Sequence, residues 1–343
     1  MKRWHKLGAG VVFLAAFHCL ILFAGFFAPY SYTSRDRRLP FAPPTRLHFF
    51  DESGKFHARP FVYDIKDDPA HFGAYLTDTG RRFPIRVFVF GAPYRVAGPF
   101  SARVHLFGVD DPGRIFLMGT DAFGRDQFSR FLYGGQISLL AGLIAAFLAI
   151  SLGMLVGGIA GFYGGWIDNA LMRSGELFLA LPWLYLLFAV RAALPLQIDS
   201  TQVFLLLVAV MGLIGWARPA RLIRGVVLSA KERNFVVAAR GFGASDSYLL
   251  LRHIIPQTGG VVLTQLVLLI PQYILAEVTL TFLGLGVGEP MPSWGTLLAS
   301  LQQYFILSSY WWMFLPALIL MPLFLAYYSA ADALQERLKS VSL

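Results

Sequence analysis

The chain has few charged residues. Only 14% of its 343 residues are Asp, Glu, Lys or Arg and 56% are hydrophobic, whereas a soluble domain carries about 25% charged residues. The apolar residues also cluster into stretches that approach the ~20 residues needed to cross a ~30 Å hydrocarbon layer. This composition excludes an ordinary soluble domain and predicts an all-α protein that crosses a membrane several times.

Cysteine is nearly absent, and recognisable catalytic motifs are missing. Cys19 is the single cysteine and lies in the first hydrophobic run, which excludes a disulfide framework and a cysteine-based metal site. The sequence contains no G-x-x-x-x-G-K-[ST] loop, no H-E-x-x-H and no G-x-S-x-G. We therefore expect no enzyme, no cofactor and no metal in this chain. Any energy must come from another chain or from an ion gradient.

The basic residues that give the net charge of +9 lie mostly in short connections. The stretch from Arg218 to His253 has seven Lys or Arg and two acids, whereas residues 284–310 have no Lys or Arg and one acid, Glu289. Because cytoplasmic loops are enriched in Lys and Arg, the first connection is predicted to be cytoplasmic and the second external. Six spans with both termini in the cytoplasm satisfy these assignments. Because the positive charge lies beside the hydrophobic spans, no nucleic-acid partner is expected.

The predicted organisation has three parts. Residues 1–29 form a cytoplasmic tail and the first span, interpreted as an uncleaved anchor because no small-x-small cleavage site follows it. Residues 30–117 form an extracytoplasmic insert with β content, since runs such as Pro84–Phe90 alternate like a strand. Residues 118–343 form a core with five more spans. The six spans are placed near 8–27, 138–162, 176–196, 202–217, 260–284 and 311–328.

The loop at 218–256 contains a candidate docking helix. Phe235, Ala238, Ala239 and Phe242 follow the i, i+3, i+4, i+7 spacing of one helix face, and Gly243 is placed to end the helix. A short amphipathic helix of this kind suits docking into a groove on a partner. The alternative is a basic linker whose helicity is incidental.

The same loop resembles the "EAA" loop of ABC importer permeases. Val237-Ala238-Ala239, Gly243 and Ile254-Ile255-Pro256 match its spacing, although Val237 replaces the glutamate and Ile255 stands before the proline. The resemblance implies that Phe235, Val237, Ala238, Ala239, Gly243 and Pro256 form an ATPase-coupling loop.

Other motifs narrow the resemblance to one family. The segment with Gly119, Thr120, Asp121, Gly124, Arg125 and Asp126 is similar to the one before the second span in dipeptide, oligopeptide and nickel permeases. Residues 161–168, 282–286 and 292–295 also match, in order. The chain thus resembles the C-type subunit over about residues 118–336. The resemblance implies a type I ABC importer permease architecture in a bacterial inner membrane. It also implies a B-type permease partner, an external substrate-binding protein, and two cytoplasmic ATPase subunits that bind ATP and Mg.

Two features inside the spans have more than one interpretation. Glu277 lies in the fifth span, where a carboxylate is costly, and is either a translocation-pathway group or a buried, hydrogen-bonded carboxyl. Gly153, Gly157 and Gly161 recur every fourth residue, which permits close helix approach either within the chain or at a heterodimer seam.

The function predicted from the resemblance is import of di- and oligopeptides. The alternatives are an importer of nickel chelates or other small solutes, an ion-gradient-driven transporter that uses Glu277, and a membrane-anchored scaffold whose functional part is the external insert.

Overall fold

The computed structural model describes residues 2–68, 70, 73–97, 100–193 and 199–341, without the side chains of residues 2–9, 97 and 338–341. The chain divides into two compact units. Unit 1 comprises Met1–Leu14, Leu139–Leu280 and Phe324–Leu343, and unit 2 comprises Ala15–Ser138 and Thr281–Leu323.

The α-helices carry most of the described chain. They are α1 (Lys2–Leu22), α2 (Ala24–Phe27), α3 (Gln127–Tyr163), α4 (Gly165–Ala180), α5 (Trp183–Ala192), α6 (Ser200–Gly215), α7 (Ala217–Lys231), α8 (Asn234–Gly241), α9 (Asp246–Tyr248), α10 (Gly259–Phe282), α11 (Trp294–Ala299), α12 (Tyr304–Ser309) and α13 (Leu315–Val341).

Four helical stretches in the described residues are long and apolar enough to cross a membrane. They are Gln127–Tyr163, Ser200–Lys231, Asp246–Phe282 and Trp311–Arg337, and the bent pair α4–α5 makes five if it counts as one span. The first predicted span corresponds to the shorter apolar stretch Gly10–Leu22, followed by the separate α2. The total of six spans stays a prediction.

The predicted span at 176–196 is not one straight helix, and its residues 194–196 lie outside the described part of the chain. α4 and α5 meet at an angle of 80° around Leu181 and Pro182. Proline lacks a backbone N–H and disfavours a helical conformation in the residue before it. Leu181 is accordingly extended, with φ −83° and ψ 132°.

The helical segment that contains the fifth predicted span, placed near 260–284, begins well before residue 260. A continuous helical segment runs from Asp246 to Phe282. It passes through a π-helical turn at Leu249–Ile254 and a 3₁₀ turn at Ile255–Thr258 that contains Pro256. These turns change the backbone hydrogen-bond spacing near the proline, so the helix continues past it.

The glycines of α3 pack within unit 1. A Cβ on Gly153 would lie 2.7 Å from Cβ of Pro219, and one on Gly157 would overlap the carbonyl oxygen of Ala220. A Cβ on Gly161 would lie 2.9 Å from the carbonyl oxygen of Arg224. The small residues therefore let the α3 and α7 backbones approach closely, which confirms the intramolecular interpretation of this repeat.

The strands lie in unit 2 and form two antiparallel sheets. β1 (His48–Phe50), β2 (Phe56–Asp67) and β3 (Tyr75–Pro84) make one sheet in that order, and β4 (Arg86–Ala97) pairs with β5 (Phe100–Gly108). The strand-like run Pro84–Phe90 contains the end of β3 and the start of β4. The location of these sheets outside the membrane stays a prediction.

Candidate functional site

The candidate coupling helix α8 is fixed to unit 1 by one buried side chain. Val236 is completely buried and belongs to a hydrophobic cluster with Phe162 of α3, Ile223 and Val227 of α7, and Ile254. This packing joins the short helix to three longer segments of the same unit. Movement of α8 would therefore be transmitted to those segments, because packed interiors deform little.

The outward face of α8 combines apolar side chains with the exposed Asn234 and Arg240. Phe235, Val237 and Phe242 are exposed by 42%, 56% and 93%, and Ala238 is also exposed. Ala239 was predicted to share this face, but it is half-buried and packs against the Val236 cluster. The exposed surface thus includes Val237, the residue at the glutamate position of the motif, and excludes Ala239.

The end of α8 follows from its glycine. Gly243 has φ +83°, a left-handed conformation that favours glycine, and the N–H of Ala244 donates to the carbonyl of Ala239 at 3.1 Å. Together these features form the Schellman arrangement that terminates helices. Pro256 lies thirteen residues beyond Gly243, within the segment that leads into α10.

The second predicted motif forms a tight turn in unit 2 just before α3. Thr120 Oγ1 donates to the carbonyl of Leu39 at 2.6 Å and accepts from the N–H of Ala42 at 2.7 Å. Gly124 has φ +67°, and a Cβ there would overlap the carbonyl oxygen of Asp36. Gly119 also has a positive φ of 70°. The motif residues therefore shape a turn that is joined to the segment after the first span.

Asp121 organises this turn. Its Oδ1 accepts from the N–H of Phe123 at 2.8 Å and from the N–H of Arg125 at 3.0 Å, while its Oδ2 accepts from Arg125 Nε at 2.6 Å. Charge-assisted hydrogen bonds of this kind are about twice as strong as neutral ones. The Arg125 side chain, only 6% exposed, is thereby oriented for a second partner.

Glu289 supplies that second partner. Its carboxylate accepts from Arg125 Nη1 at 2.8 Å and Nη2 at 3.0 Å, and from Arg130 Nη2 at 2.8 Å. Arg130 is 3% exposed, whereas the Glu289 side chain is 49% exposed. Burial by itself would raise the pKa of Glu289, but the two guanidinium groups hold it below its ordinary value. Two buried arginines are thus balanced by Asp121 and by one half-exposed carboxylate, a set we call the Glu289 cluster.

Asp126 differs from the acids of this cluster. Its Oδ2 accepts from the N–H of Ser129 at 2.8 Å and from the Ser129 hydroxyl at 2.6 Å. Its Oδ1 is buried and has no hydrogen-bond partner among the described residues. Burial raises the pKa of Asp126 to about 7, and the bonds from Ser129 only partly oppose this effect. Asp126 is therefore neutral at mildly acidic pH.

Glu277 is buried in α10, with 1% of its surface exposed. Its role in a translocation pathway stays a prediction. The described residues contain no group of three or more His, Cys, Asp or Glu side chains placed to hold a metal ion.

The sequence did not single out Glu289 or Arg130 as site residues. Glu289 is 164 residues from Arg125 in the chain, and no short-range pattern signals such a pairing. The only available signal was the isolated acid in a connection that otherwise lacks charge.

Comparison with known proteins gives one family match and several relatives. The model of the family described as "Binding-protein-dependent transport system inner membrane component" matches residues 153–340. The dipeptide transport system permease protein DppC of Bacillus subtilis (strain 168) is 35% identical over 221 residues, which are 64% of this chain and 67% of the relative. The oligopeptide permease OppC of Haemophilus influenzae is 37% identical over 220 residues, or 64% and 68% of the two chains.

A third relative covers more of the chain. The glutathione transport system permease protein GsiD of Escherichia coli O6:K15:H31 is 34% identical over 268 residues, which are 77% of this chain and 86% of that protein. A solved structure described as an amino acid ABC transporter with histidines has a TM-score of 0.45 and 16% identity, covering 61% of this chain and 94% of that one. The resemblance to peptide-importer permeases is confirmed by the family model and the relatives.

Proposed function

We propose that the chain, which belongs to the family of binding-protein-dependent transport system inner membrane components, is a channel-forming permease subunit of an ATP-driven peptide importer. The observation that carries the proposal is the match of the family model to residues 153–340, together with relatives that are dipeptide, oligopeptide and glutathione permeases. As an inner membrane component, the chain does not itself hydrolyse ATP. Nickel chelates and other small solutes are the alternative cargo.

The proposed topology has both termini in the cytoplasm and six spans. Its support is the positive-inside distribution of Lys and Arg, with seven in the connection that contains α8 and none in residues 284–310. In this arrangement α8 faces the cytoplasm. The Glu289 cluster and the two β-sheets of residues 48–108 face the other side, where a substrate-binding protein would deliver cargo.

The proposed coupling step uses α8. Two cytoplasmic ATPase subunits, which bind ATP and Mg, would hold the exposed Phe235, Val237 and Phe242 in a groove. When they close, α8 would carry Val236 and its cluster with it, and the attached spans would rock to expose the pathway alternately to each side. A second, B-type permease would complete the channel.

The exposed face of α8 lacks the glutamate usual in this motif. Val237 cannot accept a hydrogen bond through its side chain, so the proposed contact with the ATPase groove is apolar rather than charged. We therefore expect the contribution of Val237 to complex formation to depend weakly on salt, since apolar burial is screened little by ions.

The test of the overall function is isolation of the complex. The tagged chain is purified from its native membrane in mild detergent, partners are identified by mass spectrometry, and ATPase activity and peptide uptake are measured. We expect a second permease, two ATPase subunits and an external receptor with bound peptide. Repeated recovery of the chain alone, without ATPase activity, would reject the importer.

The coupling role has its own test. A charged replacement, Gly243→Asp, should abolish transport and leave membrane insertion intact, because a side chain is strained at φ +83° and the carboxylate sits beside the apolar docking face. The matched control is Gly225→Ala on α7, where nothing lies within 4 Å of an added Cβ. Normal uptake by the Gly243 variant at normal expression would remove α8 from the coupling step.

An ion-gradient-driven transporter is not favoured, because the relatives belong to binding-protein-dependent systems. The two interpretations of Glu277 are a pathway-lining group and a buried, hydrogen-bonded carboxyl, and its 1% exposure is compatible with both. We propose the first. Glu277→Gln should then change the uptake rate without changing assembly of the complex, measured by co-purification of the partners. Unchanged uptake by this variant would remove Glu277 from the pathway.

A further inference from the structure

Three arginines follow one another along α7, and two of them pair with acids of α4. Arg224 donates to both carboxylate oxygens of Asp168, and Arg221 Nη2 donates to Glu176 at 3.2 Å. Arg218 lies one turn before Arg221, and no hydrogen bond or ion pair engages it within the described residues. The first arginine of the series therefore lacks the carboxylate that its neighbours have.

Arg218 lines a cavity of about 330 Å³ in unit 1, beside the 80° break between α4 and α5. Pockets that hold small ligands span about 300–1,000 Å³ and combine apolar walls with few polar groups. The walls here are mainly apolar, with Phe178, Trp183 and Leu187 among them. The polar side chains besides Arg218 are Gln272 and Tyr273, both on α10.

The polar side of the cavity is shaped by one close contact. The Tyr273 hydroxyl lies directly against Gly215, where a Cβ would overlap it. Within the described part of the chain no side-chain hydrogen bond engages Gln272 or Tyr273. An amide, a phenol and a guanidinium therefore border one apolar space with their hydrogen-bonding capacity unused.

We propose that this cavity binds the carboxylate end of a peptide in transit, with the Arg218 guanidinium paired to the C-terminal carboxylate. A planar guanidinium presents two parallel donors that match a carboxylate, and Arg224, also on α7, pairs in this way with Asp168 of α4. The apolar walls accept the terminal side chain without fixing its identity, and Gln272 is placed to bond the peptide backbone. The inference rests on the proposed peptide importer.

The residues themselves favour a ligand over a purely topological role for Arg218. A positive-inside residue at the end of a span requires only contact with water or headgroups. Arg218 also borders an apolar cavity, where a guanidinium without a carboxylate partner is available to an anionic ligand. The alternative is that a helix of the partner permease fills the cavity. The experiment below distinguishes this occupant from a peptide.

The experiment measures peptide binding to the purified permease–ATPase complex without the external receptor. A radiolabelled hydrophobic tripeptide is displaced either by the same peptide or by its C-terminal amide. For the wild-type complex we expect the free acid to displace at least about tenfold better, because hydrogen bonds to charged groups contribute more than neutral ones. Arg218→Gln should abolish this preference, and Arg218→Lys should retain part of it.

Arg221→Gln is the matched control, since it removes the same charge three residues away on the same helix, where the partner is Glu176. It should keep the preference for the free acid. An Arg218→Gln complex that still prefers the acid, or a transporting wild-type complex that binds no peptide, would overturn the proposal. Loss of the partner permease on Arg218→Gln would assign the cavity to the subunit interface instead. Absence of peptide uptake by the wild type would reject the proposed function itself.

Discussion

Removal of the Glu289 charge should destabilise the protein far more than removal of a surface charge. Glu289→Gln keeps the shape of the side chain but leaves Arg125 and Arg130, which are 6% and 3% exposed, with Asp121 as their only acidic partner in the Glu289 cluster. Breaking a fully buried ion pair costs about 3–5 kcal/mol. Because the Glu289 side chain is half-exposed and water can reach the site, we expect the lower end, about 3 kcal/mol.

This loss can be measured as a melting temperature in detergent, followed by size-exclusion chromatography after heating. At about 2–4 °C per kcal/mol for a domain of 150–250 residues, the midpoint should fall by about 6–12 °C. The control is Asp111→Asn, which breaks an ion pair with Arg114 on an acid that is 84% exposed. Exposed pairs contribute about 0–1 kcal/mol, so its midpoint should move by less than about 4 °C. Equal shifts for the two variants would refute the argument that Glu289 contributes more to stability because its arginine partners are buried.

Three further predictions concern other parts of the chain. Burial raises the pKa of Asp126 from 3.8 to about 7, so the folded state retains a proton that the unfolded state loses above pH 4, and stability should fall as the pH rises from about 4 to 7. Asp126→Asn keeps the bond from Ser129 and should flatten this dependence in melts at pH 5, 6 and 7; an unchanged slope would contradict it. Gly157→Val should prevent α3 from packing against Ala220 and yield aggregated protein on gel filtration, whereas normal elution would show that the helices can separate without loss of the fold. Phe242→Ser, at a side chain 93% exposed, should leave the melting temperature within about 1 °C because exposed substitutions cost little, but should lower ATPase recovery in the pull-down; full recovery would exclude Phe242 from docking.

The sequence located four apolar helical stretches that are long enough to cross a membrane, but not all of their ends. Hydrophobicity placed the second span at residue 138, whereas α3 begins at Gln127. Residues 127–137 mix polar and apolar side chains. Several of the polar ones are buried in unit 2, where hydrogen bonds compensate for their burial, as the bond from Ser129 to Asp126 does. A hydropathy count ends the predicted span at such polar residues, because it does not include the hydrogen-bond partners that allow them to be buried.

The site was accessible from sequence only where its determinants are local. Gly243 was predicted to end α8 because the backbone conformation that terminates a helix favours glycine. The buried residue that fixes α8 is Val236, which lies off the predicted face and packs on residues from α3 and α7. The Glu289 cluster and the Arg218 cavity likewise join residues far apart in the chain. Each depends on tertiary contacts that leave no short-range pattern.

The close approach of α3 to α7 has a consequence for synthesis of the protein. The groove at Gly157 is filled by the backbone at Ala220, which the ribosome reaches about 60 residues later. At about 5–20 residues per second, α3 spends roughly 3–12 s in the membrane before its packing partner emerges. During that interval its glycine face is available to any other helix with a small-residue surface. Correct assembly therefore depends on how quickly the chain between the two helices is translated and inserted, so slow codons placed between them would be expected to lower the yield of folded protein.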